Sequence, residues 1–143
     1  EILIGLVGSE MCIRDSINIQ EMVESHRRQQ SLATMAIAHP TGRNEILALN
    51  EQGCYIGTKQ GKKQKHSWVN ACSMVLEARA FDYLKENQEN HFALSLMDCL
   101  AAHEPVQTYR HEGFWSPVET IRDKTWMENL WAQHKAPWKV WED

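Results

Sequence analysis

Seven histidines, four cysteines and a short run of lysines are the side chains in this 143-residue sequence best suited to metal, redox or phosphate chemistry. Their spacing excludes more than it supports. No His-Glu-x-x-His and no Cys-His pairing occurs, so a zinc site lacks its usual frame, and dispersed histidines read as surface or satisfied core residues. Cys54, Cys72 and Cys99 show no Cys-x-x-Cys step, which fits reduced thiols rather than a disulfide frame and implies a cytoplasmic setting. No Gly-x-Ser-x-Gly elbow supports a serine hydrolase. Asp98 and Asp123 fall in predicted helices with no partner carboxylate. Lys59, Lys62, Lys63 and Lys65 lie in a polar stretch and read as a solvated loop. A phosphate cradle needs backbone N–H groups and a helix N-terminus at the end of a strand. Gly57 and Gly61, the glycines nearest a predicted strand end, have no helix after them.

The elements that must position any site alternate between strand and helix periods, the pattern of an α/β domain with a largely parallel sheet. Asn18 and Glu21 can form a capping box for a helix to about residue 30, with Ile19, Met22, Val23 and His26 on one face. Leu32 to Ala38 is a continuous apolar run, as expected of a strand covered on both faces. Ile46 to Leu49 and Cys54 to Thr58 form a hairpin around Asn50-Glu51-Gln52-Gly53. Trp68 to Leu76 is a strand, residues 77–87 and 92–103 are helices, and Val106 to His111 is the last strand. Ser116-Pro117-Val118-Glu119 is a capping box with proline at the first helical position, which places the start of a final helix near residue 117. His134 and Lys135 then occupy its last turn, and Pro137 ends it. Trp138 and Trp141 are expected to anchor the tail.

A net charge of -4 argues against a nucleic-acid or membrane-surface binder. No apolar run approaches a membrane span.

Five of the six tryptophans fall between Gly113 and Asp143. There Gly113-Phe114-Trp115, Pro117, Val118-Glu119-Thr120, Arg122-Asp123-Lys124 and Ala136 to Trp141 resemble the C-terminal signature of the sugar-1-phosphate nucleotidyltransferases, the glucose-1-phosphate cytidylyltransferases in particular. The resemblance runs continuously from Leu96 to Trp141 and more loosely from Ile17. It implies the C-terminal half of a Rossmann-like nucleotide-diphospho-sugar transferase fold, a mixed and mostly parallel sheet flanked by helices. The family's Tyr-Gly-Asp-Gly step and its Gly-rich nucleotide loop have no match here. The implied reaction of a full-length parent is transfer of a cytidylyl group from CTP to glucose 1-phosphate, giving CDP-glucose and pyrophosphate. The fragment alone is expected to be inactive. Sugar 1-phosphate and nucleoside triphosphate are the implied partners, Mg2+ the implied cofactor and polysaccharide precursors the implied products; a homo-oligomer is left open. Two rival readings stand beside it: a mannose-1-phosphate guanylyltransferase-like parent, and a degenerate homologue that binds sugar phosphate without catalysis.

No catalytic residue is carried over, but three site residues are. Glu119 stands where the family has its second magnesium-binding aspartate, with the capping-box role as its alternative. Asn70 matches the asparagine of an Asn-Gly-Gly or Asn-Ala-Gly step that meets the sugar hydroxyls, with a strand-end hydrogen bond as its alternative; Ala71 and Cys72 follow it, so the second glycine is lost. Lys59 matches the lysine of a Glu-Lys-Pro step that pairs the sugar phosphate, but here sits in Thr58-Lys59-Gln60.

Leu6 to Asp15 resembles a translated sequencing adapter, so residues 1–16 are set aside as an artefact and 17–143 taken as the domain fragment. A fragment of this kind is expected to leave the strand at 32–38 uncovered and to self-associate.

Overall fold

The computed structural model describes residues 12–39, 45–59, 67–86 and 92–140. Lys62, Lys63, Lys65 and Trp141 lie outside them. In chain order the elements are β1 (Cys12–Asp15), α1 (Ile19–Gln29), β2 (Ala33–Ala38), β3 (Ile46–Leu49), β4 (Tyr55–Lys59), β5 (Val69–Leu76), a 3-10 helix (Ala78–Glu86), α2 (Phe92–Ala101), β6 (Gln107–Arg110), β7 (Trp115–Val118) and α3 (Ile121–Ala132).

The architecture is α/β, with a mixed sheet flanked by helices. The central sheet has the order β5-β2-β6. β2 pairs antiparallel with β5 and parallel with β6. This is the parallel pairing among the described strands; β3 with β4 and β1 with β7 are antiparallel. Every residue of β2 is buried, and the pleat sorts them by size. Ala36 and Ala38 face Met22 and Val23 of α1, where a small side chain lets the helix approach closely. Met35 and Ile37 point to the other layer, against Leu47, Tyr55, Leu96 and Leu100. The expected uncovered run at 32–38 is therefore not found: β2 has a partner strand on each side and a side-chain layer on each face. Among the described strands, β5 and β6 are the edges of this sheet.

Hydrogen bonds from Tyr55 help tie the hairpin to the rest. Its N–H donates to Val106 O at 2.9 Å, and its hydroxyl donates to Asp98 Oδ1 of α2 at 2.6 Å. Burial and the neighbouring Asp98 carboxylate push the Tyr55 hydroxyl well above its ordinary range. On the opposite face the Tyr109 hydroxyl donates to Glu21 Oε2 at 2.8 Å, and burial together with Glu21 pushes it up to about 12. Glu21 is thereby drawn onto β6, while Asn18 Oδ1 accepts from Glu21 N–H as a helix cap should.

Two elements differ from expectation. The helix after β5 is wound as a 3-10 helix, with Ala80 and Tyr83, three residues apart, both turned to the core. The final helix does not start at residue 117. Trp115 to Val118 is a strand whose Trp115 and Pro117 are buried in alternation, and Pro117 is tolerated because β7 pairs on one side only. The cap is Thr120 in place of Ser116: Thr120 Oγ1 accepts from Asp123 N–H, and Asp123 Oδ2 accepts from Thr120 N–H at 2.9 Å. Thr120-x-x-Asp123 outcompetes Ser116-x-x-Glu119 because the burial of Trp115 and Pro117 requires extended backbone through Val118. At the other end the helix stops at Ala132. Lys135 N–H donates to Leu130 O and His134 N–H to Trp131 O, with His134 at φ 54°, a Schellman ending in which histidine takes the usual glycine position. His134 and Lys135 thus lie beyond the last turn, and the helix ends before Pro137. Trp138 is buried, as expected of an anchor.

His26 is the most enclosed ionisable group of the α1 layer. Its Nδ1 is 2.8 Å from Thr34 Oγ1, while Nε2 is 3.6 Å from Glu77 Oε1 and makes no hydrogen bond among the described residues. Burial lowers its pKa below the ordinary 6.5; Glu77 opposes the shift and Arg27 adds to it. The unfolded chain therefore takes up this proton at higher pH than the folded one, and folding loses stability as pH falls below about 6.5 toward the lowered value. Urea midpoints recorded between pH 7.5 and 5 are expected to drop more steeply for the natural chain than for His26→Gln; equal slopes would show that His26 does not contribute.

Candidate functional site

Because β2 and β6 run parallel, their carboxyl ends, Ala38 and Arg110, come together, and the residues just past them form one rim. β5 runs the other way, so its beginning reaches the same rim: Val69 lies opposite Ala38 and Asn70 opposite Ile37. In open α/β sheets ligands sit outside the carboxyl ends of parallel strands. Here that position holds His39, Trp68, Arg110 and Glu112. The His39 ring stacks on Trp68 with centroids 4.2 Å apart, its Nδ1 is 3.2 Å from Ser67 O and its Nε2 is 3.2 Å from Glu112 Oε2. Arg110 Cζ lies 5.7 Å from the Trp68 ring centre. His39 and Glu112 open onto a cleft of about 480 Å³ lined also by Gly113, Phe114, Trp115, Ser116, Asp123 and Trp126.

The Gly113-Phe114-Trp115 step is shaped by close contact. A Cβ on Gly113 would stand 2.7 Å from His111 Cε1 and 2.8 Å from Ser16 Oγ, so no larger residue fits without displacing both. His111 Nε2 lies 2.9 Å from Phe114 O, and the Phe114 ring meets Trp126 and Trp138 at 6.2 and 5.6 Å. The buried Trp115 indole donates to Ala71 O at 3.2 Å.

That carbonyl belongs to an irregular part of β5. The short step from Ile37 to Met35 on β2 is matched by the longer step from Asn70 to Met74 on β5, and Cys72 within it has φ 63°. Asn70 Oδ1 accepts from Cys72 N–H at 2.8 Å. Of the two roles expected for Asn70, the local hydrogen bond is the one its oxygen makes; the side-chain nitrogen is not used in that bond.

Lys59 lies opposite Ile46 in the hairpin, one residue from Leu47, whose N–H donates to Trp68 O at 2.9 Å. The strand register thus carries Lys59 and Asn70 toward the same end of the fold. Glu119 is on the segment that joins β7 to α3, with its side chain exposed. Its backbone N–H donates to Asp123 Oδ2 at 3.3 Å, and its capping-box role does not form. The hydrogen bond from the Thr120 hydroxyl, aided by the Thr120 and Glu119 N–H groups, holds the Asp123 carboxyl below its usual range.

Glu119 is a hard oxygen ligand of the type magnesium takes, but Asp123 beside it is committed to the helix cap. No group of three or more His, Cys, Asp or Glu side chains among the described residues could hold a metal ion. One carboxylate is too little for an octahedral shell, so these residues do not fit a resident magnesium by themselves.

Sequence reasoning missed His39, Arg110 and Glu112. The available signal was position: His39 directly follows the most apolar run, and Arg110 to Glu112 end the strand that pairs with it.

The fold built around this rim is that of nucleotidyltransferases. A Bacillus anthracis protein provisionally assigned as a glucose-1-phosphate thymidylyltransferase, crystallised in complex with sucrose, superposes with a TM-score of 0.65 at 14% identity, covering 92% of this chain and 53% of that one. In sequence the chain is similar to the glucose-1-phosphate cytidylyltransferase of Salmonella typhi, 31% identical over 127 residues, and to that of Salmonella typhimurium, 29% identical over 126. Each alignment takes in 88% of this chain and 48% of the relative, so the chain spans about half the length of the curated relatives it matches. The resemblance read from the C-terminal motifs is borne out over most of the chain. No protein-family profile matches it.

The left-handed backbone at Cys72 gives a direct test of the irregular step in β5. Glycine normally weakens a strand relative to alanine, but at φ 63° the order should invert. Cys72→Gly is expected to be more stable than Cys72→Ala by about 1 kcal/mol in urea unfolding.

Proposed function

We propose that this chain supplies the sugar-1-phosphate side of a nucleotidyltransferase that joins CTP and glucose 1-phosphate into CDP-glucose and pyrophosphate. The observation that carries the reading is the similarity to two glucose-1-phosphate cytidylyltransferases across 88% of the chain. The rim gives it a place to act. Asn70 would offer its amide nitrogen to a sugar hydroxyl, and Lys59 would neutralise the sugar phosphate. An oxygen of that phosphate attacks the α-phosphorus of CTP in line, and pyrophosphate leaves; such a step needs positioning and charge neutralisation more than covalent help. Glu119 is the carboxylate this chain would contribute to Mg2+, with substrate phosphates supplying further oxygen ligands. The products would feed polysaccharide synthesis in the cytoplasm.

One observation favours the non-catalytic alternative. Cys72 occupies a left-handed position with a side chain beside Asn70, where bulk would crowd a hexose.

The test is a chimera of this chain with the nucleotide-binding half of the Salmonella typhi enzyme, assayed for pyrophosphate release. Release with CTP and glucose 1-phosphate supports the proposal. Preference for GTP with mannose 1-phosphate moves it to another member of the class, and no release with any pair favours the binding homologue. In an active chimera, Glu119→Gln is expected to lower kcat about 100-fold, as for loss of a charge-neutralising group. Asn70→Ala is expected to raise KM about tenfold with a smaller effect on kcat.

A further inference from the structure

We infer that Trp115 is a positioning residue for the sugar site: its indole N–H holds the Asn70-Ala71-Cys72 step in the conformation that presents Asn70. The inference rests on the substrate reading above and goes beyond it, because Trp115 acts through another segment and need not touch a ligand. Four observations converge. The indole of Trp115 is buried and donates across 44 residues of sequence to Ala71 O. Ala71 is itself fully buried, so this donor satisfies a carbonyl within the core. The step departs from regular pairing with β2, and Cys72 is held in a left-handed conformation that a non-glycine residue rarely adopts. Asn70 Oδ1 is spent on Cys72 N–H, which fixes the amide plane and aims its nitrogen away from that bond.

The strained turn and the hydrogen bond from Trp115 are therefore coupled. Without the indole donor, Cys72 gains by relaxing toward negative φ, and the Asn70 amide loses its support. A glycine at position 72 removes the reason to relax, so it should restore the geometry even when the donor is absent.

The test compares the natural full chain with Trp115→Phe, which keeps an aromatic ring but lacks the N–H, and with Trp115→Phe/Cys72→Gly. Amide exchange at Cys72 is expected to speed up at least about tenfold in Trp115→Phe, with Ala36 unchanged, and to return toward the natural rate in the double variant. Calorimetric titration with glucose 1-phosphate is expected to weaken about tenfold in the single variant and recover in the double one, while titration with inorganic phosphate stays constant. A purely structural tryptophan would weaken both titrations, accelerate exchange throughout the core and show no rescue by glycine, and that result overturns the inference. Unchanged Cys72 exchange in Trp115→Phe overturns it as well. If the natural chain binds no glucose 1-phosphate while Cys72 exchange responds as expected, the substrate reading fails and the indole-turn coupling stands.

Discussion

The backbone of β2 runs through the middle of the domain with neither water nor solvent-facing side chains to satisfy it, and every N–H and C=O along it must find a partner strand. An unpaired polar group there costs on the order of 1–3 kcal/mol. β5 and β6 meet that demand from opposite sides and with opposite directions. Much of the site follows from this. Parallel pairing with β6 brings His39 beside Arg110 to Glu112, and antiparallel pairing with β5 brings Trp68 to Asn70 to the same rim. The alternation of small and large residues along β2 fixes which layer each neighbour joins, so α1 closes over alanines and α2 packs beyond Met35 and Ile37.

Much of this was legible in the residues. The run at 32–38 announced a strand covered on both faces, Asn18 announced the start of α1, and Asn50 to Gly53 announced the hairpin turn. Long-range pairing was not legible. Periodicity cannot say that β5 runs antiparallel to β2, nor that the domain's own strands cover both edges of β2. Local chemistry also misled at the end of the chain, where two capping motifs follow one another. Ser116-x-x-Glu119 was read as the helix start because proline follows the serine, and Thr120-x-x-Asp123 was passed over. The winner was decided by tertiary burial of Trp115 and Pro117, a non-local term that no window of sequence contains.

The candidate site shows the same division. Glu119, Asn70 and Lys59 were reached through resemblance; in the structure Glu119 lies on the exposed segment before α3, Asn70 at the irregular step of β5 and Lys59 at the end of β4. The stacked His39 and Trp68, with Arg110 and Glu112 around them, come from segments more than 25 residues apart and appear only when the strands are paired. Of the segment set aside as adapter-like, Cys12 to Asp15 are extended and pair with β7; residues 1–11 lie outside the described residues.

Phe114 has one further consequence. Its ring touches Trp126 on α3 and Trp138 on the tail, while its carbonyl receives Ser16 N–H and lies beside His111. Phe114 lines the same cleft as Trp126, His39 and Glu112, so its ring both fills part of that space and packs against two aromatic neighbours. A smaller side chain there would enlarge the cleft and at the same time loosen the seat of the tail on α3.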